Sequence, residues 1–172
     1  MTTIRAETPA DHAAIAEVNR LAFGREAEAR LVEAIRASPG FIPALSLVAE
    51  RDGDVVGHAL FSQIAIRTAA GAEVPALALA PVAVLPAYQR QGIGSALIRS
   101  GLDRARALGH RIVVVIGHPD YYPRFGFRPA RAQGLEAPFP VADPVFLALA
   151  LTPGALDGVR GTVIYPEAFA GV

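Results

Sequence analysis

The run from Val74 to Leu85 constrains the fold more than any other part of the sequence, because nearly every residue in it is apolar. Such a run, interrupted by Pro75 and Pro81, is typical of a strand buried on both faces and is far too short to cross a bilayer. A short polar turn follows, and Gln91–Leu108 then carries small and apolar residues at helical spacing, with Gly109 as a left-handed C-terminal cap. The chain therefore contains a buried strand that leads through a tight turn into a helix.

The other segments alternate between helical and strand periodicity, which predicts a single α/β domain over residues 1–172. A first helix is predicted to begin at Thr8–Asp11, where a capping threonine precedes a proline and a carboxylate. The remaining predicted elements are a helix at Glu26–Ala37, two hairpin strands at Leu45–Arg51 and Val55–Ile66, a strand at Arg111–Ile116, a short helix or turn at Tyr121–Gly126, a surface loop at Ala132–Pro144, a final strand at Val145–Leu151 and a tail of mixed structure from Thr152 onward. The tight turn at Asp52–Asp54 favours antiparallel pairing. We therefore expect a mixed, mostly antiparallel sheet flanked by helices.

Composition excludes several classes of function. The chain has sixteen basic and sixteen acidic side chains, so it lacks the net charge that attracts nucleic acid or a membrane surface. Every basic residue is arginine, and cysteine is absent, which excludes Schiff-base lysines, thiol nucleophiles and disulfides. The four histidines show no metal-ligand spacing, so no metal site is predicted. The first residues lack the apolar core of a signal peptide, and a cytoplasmic protein is expected.

The junction between the buried strand and the helix is suited to binding an anion. The start of a helix presents backbone N–H groups that have no acceptor within the helix, together with the positive end of the helix dipole. Gly92 and Gly94 lie at this start, and glycine lets an anion approach without meeting a Cβ atom. A P-loop would need a lysine, and a dinucleotide-binding fingerprint would need glycine where Leu97 stands. A diphosphate remains a suitable ligand for the turn.

These residues resemble a known family. Gln89–Gly94 matches the [Gln/Arg]-x-x-Gly-x-[Gly/Ala] signature of the GNAT superfamily of acyl-CoA-dependent N-acetyltransferases. Val82–Leu85 looks like the central strand of that superfamily, and Tyr122–Phe127 matches its Tyr-x-x-x-Gly-Phe element. The resemblance is closer still to the YhbS-like subgroup of predicted acetyltransferases, through the stretches Val56–His58, Leu79–Val84, Gly117–Phe127, Pro153–Leu156 and Gly161–Pro166.

The resemblance implies a GNAT-like acyl-CoA N-acyltransferase fold, with acetyl-CoA as cosubstrate. In such proteins two strands splay apart, and the pantetheine arm pairs with free main-chain groups of the central strand. Carried over to this sequence, that role falls to Val82, Ala83 and Val84. The residues expected at the diphosphate are Gln89, Arg90, Gln91, Gly92, Ile93, Gly94 and Ser95.

The same resemblance makes Tyr122 the expected proton donor to the departing thiolate, the alternative being that it only packs against the cofactor. The ordinary pKa values of tyrosine and a thiol differ by about 1.5 units, so full proton transfer would cost only about 2 kcal/mol. A backbone N–H near Val84 is the expected polariser of the thioester carbonyl. Candidates for the base that deprotonates the amine are Glu28, His58 and His118, and a water relay remains an equal alternative.

The expected acceptor of the acetyl group is a primary amine, and the sequence does not identify which one. Direct attack on acetyl-CoA in a ternary complex is the leading hypothesis, and a non-catalytic domain that senses or scaffolds acyl-CoA is the alternative. A longer acyl group is a third reading, because the small residue Ala83 would leave space around the thioester. The resemblance also implies a homodimer that pairs through the C-terminal strands.

Overall fold

The computed structural model describes residues 1–171. Its strands are β1 (Thr2–Ala6), β2 (Ser46–Arg51), β3 (Asp54–Thr68), β4 (Glu73–Val84), β5 (Ile112–Ile116), β6 (Arg128–Pro129), β7 (Leu135–Glu136), β8 (Phe146–Ala150) and β9 (Gly161–Ile164). Its α-helices are α1 (His12–Phe23), α2 (Ala27–Arg36) and α3 (Ile93–Ala107).

The strands form one sheet in the order β1-β2-β3-β4-β5-β8-β6, with β9 pairing β3 and β7. Antiparallel pairing joins β1 to β2, β2 to β3, β3 to β9, and β8 to both β5 and β6. Parallel pairing joins β4 to β5 and β7 to β9. The predicted mixed, mostly antiparallel sheet with helices is confirmed. The hairpin between β2 and β3 is confirmed as well, with Asp52 and Gly53 in the left-handed backbone region.

The internal contacts of the chain divide it into two compact units. The first comprises residues 1–62, 79–104 and the segment from 167 onward, and the second comprises residues 63–78 and 105–166. The prediction of one domain over residues 1–172 stays a prediction.

The first unit packs helices on both faces of β3. Leu60 joins a buried cluster with residues of α1, α2 and β2, namely Ile15, Leu31, Val32, Ile35 and Val48. Side chains alternate along a strand, so Gly57 and Phe61 lie on the opposite face, against α3. A Cβ atom on Gly101 of α3 would lie 2.1 Å from the Phe61 ring, and one on Gly57 would lie 3.1 Å from Leu97. These two glycines let α3 lie close to the strand.

The second unit is built on β5. Leu77 and Ala78 of β4 pair with Val113 and Val114 on one side, and β8 pairs with β5 on the other. The C-terminal end of α3 has the predicted cap: Gly109 has φ +90°, and the His110 N–H donates to Ala105 O.

The structure differs from the sequence prediction at several places, among them the short strand β7, which lies within the predicted surface loop at Ala132–Pro144. The helix begins at Ile93 rather than Gln91, because Arg90 and Gly92 have φ values of +62° and +82°, which a helix cannot contain. Strand β1 precedes the predicted helix start at Thr8–Asp11, in a segment for which no element was predicted, and β9 follows the strand that was predicted to be the last. Strands β1 and β9 are short, and each pairs with a strand that is far away in the sequence, so no local pattern indicates them.

Candidate active site

The turn between β4 and α3 is held by side-chain amides. Gln89 Nε2 donates to Val84 O at 2.9 Å, and Gln91 Nε2 donates to Ala87 O at 3.4 Å. Because its amide group bonds to the end of β4, Gln89 shapes the turn. The sequence had suggested Gln89 only as a contact to the phosphates.

The start of α3 collects backbone N–H groups at one place. Ala96 N–H closes the first helical bond, to Gly92 O at 3.0 Å. The amides of Ile93 and Gly94 precede this bond, and the first amides of an α-helix have no acceptor within the helix. A Cβ on Gly92 would meet nothing within 4 Å, so the space outside the turn is open. The Ile93 side chain is buried, and its Cγ2 would lie 3.2 Å from a Cβ atom on Gly57.

Arg51 contacts this turn and was missed in the sequence. It lies at the end of β2, where its Nη1 donates to Gln91 Oε1 at 2.8 Å and its guanidinium lies 5.5 Å from the centre of the Tyr88 ring. Arg51 and Gln91 are 40 residues apart, so no local pattern connects them. The arginine adds positive charge beside a helix start that already favours an anion.

The end of β4 carries the three residues expected to pair with pantetheine. Ala83 is buried, whereas Val82 and Val84 are partly exposed. Next to them, Leu85 N–H donates to Val56 O of β3 at 2.9 Å. The pairing of Val82, Ala83 and Val84 with a pantetheine arm stays a prediction.

Tyr122 lies in a short 3-10 turn after β5 and is only 9% exposed. Its ring makes edge contacts with Tyr121 and Phe127, at centroid distances of 5.1 and 5.8 Å. Burial raises the pKa of Tyr122 to about 12. Full proton transfer to a thiolate would therefore cost about 5 kcal/mol rather than about 2 kcal/mol. The hydroxyl stays protonated at neutral pH and is suited to donating a hydrogen bond.

His58 on β3 is fully buried, and both ring nitrogens have partners. Asn19 Nδ2 lies 3.3 Å from Nδ1 and also donates to Ile15 O, so the amide nitrogen is the donor and Nδ1 the acceptor. The ring proton then lies on Nε2, which donates to Ser46 Oγ at 3.0 Å. The Ser46 hydroxyl in turn donates to the Glu7 carboxylate.

Burial is also the main cause that lowers the pKa of His58 to about 4; Glu7 acts to raise it and Arg36 to lower it further. The hydrogen bonds and the low pKa give His58 the properties of a neutral structural histidine. A base would need a free ring nitrogen directed at the amine.

Glu28 and His118 have different surroundings. Glu28, in the first turn of α2, is buried, and its carboxylate accepts hydrogen bonds from Arg25 Nε at 2.9 Å and Nη2 at 2.5 Å. Glu28 therefore does not lie on a solvated helix face. His118 is exposed, and its carbonyl accepts the N–H groups of Tyr121 and Tyr122. The structure thus brings His118 and Tyr122 into one turn.

Comparison with known proteins identifies the family. The profile described as "Acetyltransferase (GNAT) domain" matches residues 3–130. The chain belongs to the GNAT acetyltransferase family.

Two relatives from Escherichia coli K12 are described as uncharacterised N-acetyltransferases. YjhQ is 41% identical over 134 residues, which cover 77% of this chain and 74% of YjhQ. YhbS is 37% identical over 167 residues, which cover 96% of this chain and 97% of YhbS.

Two solved GNAT structures superpose on most of the chain. The structure of Escherichia coli YhbS in complex with CoA has a TM-score of 0.91 at 35% identity and covers 98% of this chain and 92% of its own. A GNAT acetyltransferase from Brucella melitensis in complex with acetyl-CoA has a TM-score of 0.80 at 39% identity and covers 98% of both chains.

Charged side chains of the loop after β6 bond to one another in this GNAT chain. Arg131 donates to Glu136 Oε1 at 2.7 Å and to Asp143 Oδ1 at 2.6 Å. Phe139 is 43% exposed and stacks on Tyr165 at a centroid distance of 5.8 Å. Ion pairs therefore link Arg131 to Glu136 and Asp143, and the aromatic side chain of Phe139 is the large hydrophobic one that the loop exposes.

Two searches of the described residues found no candidate. None of the helices within residues 1–171 is long and apolar enough to span a membrane. The same residues contain no group of three or more His, Asp or Glu side chains placed to hold a metal ion.

Proposed function

We propose that this protein transfers the acetyl group of acetyl-CoA to a primary amine, by direct attack of the amine in a ternary complex. The observation that carries the proposal is the start of α3, where a Cβ atom on Gly92 would meet nothing within 4 Å and Arg51 donates a hydrogen bond to Gln91 of the same turn. Membership of the GNAT family and the CoA complexes of two relatives support the same ligand.

The strand, turn and helix fit the two parts of this cosubstrate. The diphosphate takes hydrogen bonds from the amides at the start of α3, between Arg90 and Ser95. The pantetheine arm pairs with main-chain groups of Val82, Ala83 and Val84, so these side chains need only be apolar. The open space around Gly92 supports the fit, because an anion can approach its main chain without meeting a Cβ atom.

In the reaction, the amine nitrogen attacks the carbonyl carbon of the thioester. A C–N bond forms, the C–S bond breaks, and the electron pair of the broken bond stays on sulfur. A backbone N–H near Val84 polarises the carbonyl oxygen. The Tyr122 hydroxyl donates a hydrogen bond that strengthens as charge builds on sulfur. Because the pKa of Tyr122 is about 12, its proton stays mainly on the phenol.

The amine must lose a proton, since only about one part in 10³ of a lysine-like amine is neutral at pH 7. We assign this step to a water relay, with Glu28 and His118 as the candidate bases. His58 takes no part in this step, because its two ring nitrogens bond to Asn19 and Ser46. The acceptor is a primary amine whose further chemistry the site leaves open.

The first experiment incubates the purified protein with acetyl-CoA and a panel of amines while the release of free thiol is followed. We expect thiol release above background for at least one amine. Binding of acetyl-CoA with no release for any amine would favour the sensor or scaffold function. Propionyl-CoA in the same assay tests whether the small Ala83 side chain admits a longer acyl group.

The second experiment tests the cosubstrate site by calorimetry. Replacing Gly92 and Gly94 together by valine should abolish acetyl-CoA binding, because side chains would fill the approach to the amides. Gly71→Val is the matched control, since Gly71 also has a left-handed φ, +85°, and a Cβ atom there would meet nothing within 4 Å. Unchanged affinity in the double valine variant would refute the proposed site.

A further inference from the structure

The ring of Tyr122 lies directly against the main chain of Gly117, the residue that follows β5. A Cβ atom on Gly117 would lie 2.2 Å from Cε2 of Tyr122, 2.8 Å from Cδ2 and 3.2 Å from Cζ. Carbon atoms in contact are separated by about 3.5–4.0 Å, so no side chain larger than hydrogen fits at this position. Gly117 has no left-handed φ, and space rather than backbone conformation is what requires glycine here.

Several contacts hold the ring of Tyr122 in place against Gly117. The Gly117 N–H donates to Val145 O at 2.9 Å, which fixes the main chain beneath the ring to the residue before β8. Tyr121 and Phe127 contact the ring with their edges. The Tyr122 N–H donates to His118 O at 3.3 Å. The atoms nearest Gly117 lie on the side of the ring that leads to the hydroxyl, so a shift there moves the hydroxyl too.

We propose that Gly117 is a positioning residue for acetyl transfer, because its bare main chain sets where the Tyr122 hydroxyl lies. This inference rests on the proposed role of Tyr122. A methyl group at position 117 would push the ring away by about 1 Å to restore ordinary contact distances. A displacement of about 1 Å at a reacting group can cost about 100-fold in rate.

The test is a double-mutant cycle of Gly117→Ala and Tyr122→Phe, with kcat and the KM for acetyl-CoA measured for all four proteins. We expect Gly117→Ala alone to lower kcat by about 100-fold and to leave KM nearly unchanged. In the Tyr122→Phe background the same change should alter kcat by less than about twofold, since the hydroxyl is already gone. Phenylalanine keeps the ring, so the steric cost to the fold is the same in both backgrounds.

An equal loss of kcat in both backgrounds, or no loss in either, would overturn the inference. Gly161→Ala is the matched control for destabilisation, because its Cβ would lie 2.2 Å from Arg67 O and does not involve Tyr122. We expect this control to lower the melting temperature while the folded fraction keeps its kcat. Should Gly117→Ala fail to fold, it is combined with Tyr122→Ala, which removes the ring; the double variant should then be no less stable than Tyr122→Ala alone, and a less stable double variant would overturn the inference.

Tyrosine absorbance titration separates this inference from the proposed function when each protein is compared with its Tyr122→Phe counterpart, because burial also raises the pKa of Tyr165 to about 12. Displacement of the ring should lower the pKa of Tyr122 from about 12 in the Gly117→Ala variant. An unchanged titration would overturn the placement of the ring by Gly117. Full activity of Tyr122→Phe would instead overturn the catalytic role of Tyr122, even if the titration shift were observed.

Discussion

His58 should make the stability of this protein sensitive to mild acid. Its pKa is about 4 in the folded state and 6.5 in its ordinary state, so the native protein binds fewer protons than the unfolded chain. The stability contributed by the neutral ring is complete above about pH 6.5 and is lost as the pH falls towards 4. The difference of about 2.5 pKa units corresponds to a full contribution of about 3 kcal/mol to the free energy of unfolding. About 2 kcal/mol of this contribution is lost when the pH falls from 7 to 5. That is a large share of a typical free energy of unfolding of about 5–15 kcal/mol.

The groups that face His58 leave this expectation intact. Glu7 and Arg36 act on its pKa in opposite directions, and burial is the larger effect. Burial acts to raise the pKa of Glu7, but hydrogen bonds from Arg36 and Ser46 outweigh it and hold that pKa below its usual value. Glu7 therefore stays ionised between pH 7 and pH 5.

The assay is urea unfolding between pH 7 and pH 5, followed by far-UV circular dichroism because the chain has no tryptophan. His58→Gln removes the titrating group and should remove most of the loss of about 2 kcal/mol. His110→Gln is the matched control; burial also lowers the pKa of His110, but this ring is only partly buried. We expect the His110→Gln variant to keep most of the pH dependence of the free energy of unfolding. An identical pH dependence in His58→Gln and the parent protein would refute the reasoning.

Three further predictions concern the candidate site and the helix that carries it. Tyr122→Phe should lower kcat by about 100-fold with acetyl-CoA affinity unchanged, because it removes one hydrogen-bond donor to the leaving group. Stopped-flow or steady-state measurement of thiol release tests this prediction, and an unaltered kcat would contradict it. Arg51→Met should weaken acetyl-CoA binding about threefold in calorimetry, because it removes a positive charge and the hydrogen bond to Gln91. An unchanged affinity would mean that Arg51 does not support the turn. Gly101→Ala should lower the free energy of unfolding by about 1–3 kcal/mol, because the new methyl group would lie 2.1 Å from Phe61. Adding Phe61→Leu to this variant should recover part of the lost stability. If it recovers none, the packing of Gly101 against Phe61 is contradicted.

Local signals in the sequence were enough to predict the strand, turn and helix that form the candidate site. The hairpin at Asp52 and Gly53 and the cap at Gly109 were predicted from the same kind of signal. Each depends on a backbone conformation that a few neighbouring residues favour or forbid. The start of α3 was placed slightly early because glycine spacing does not reveal that Arg90 also adopts a left-handed conformation.

Partners far apart in the chain could not be predicted in this way. The burial of Glu28 and the hydrogen bonds of His58 to Asn19 and Ser46 depend on how α1, α2 and the strands pack. The contact of Arg51 with Gln91 depends on the same packing. The raised pKa of Tyr122 likewise follows from burial, which changes the expected cost of proton transfer.

The amino-acid sequence by itself determined the family resemblance, the prediction of an anion site at the start of α3 and the set of candidate residues for the chemistry. Only the tertiary structure decided which of those residues keep a free polar atom, because hydrogen bonding and burial come from neighbours that the linear order does not reveal. His58, chemically the most suitable base in isolation, becomes a buried neutral ring for that reason. Gly117, which has no side chain, becomes the surface that positions Tyr122.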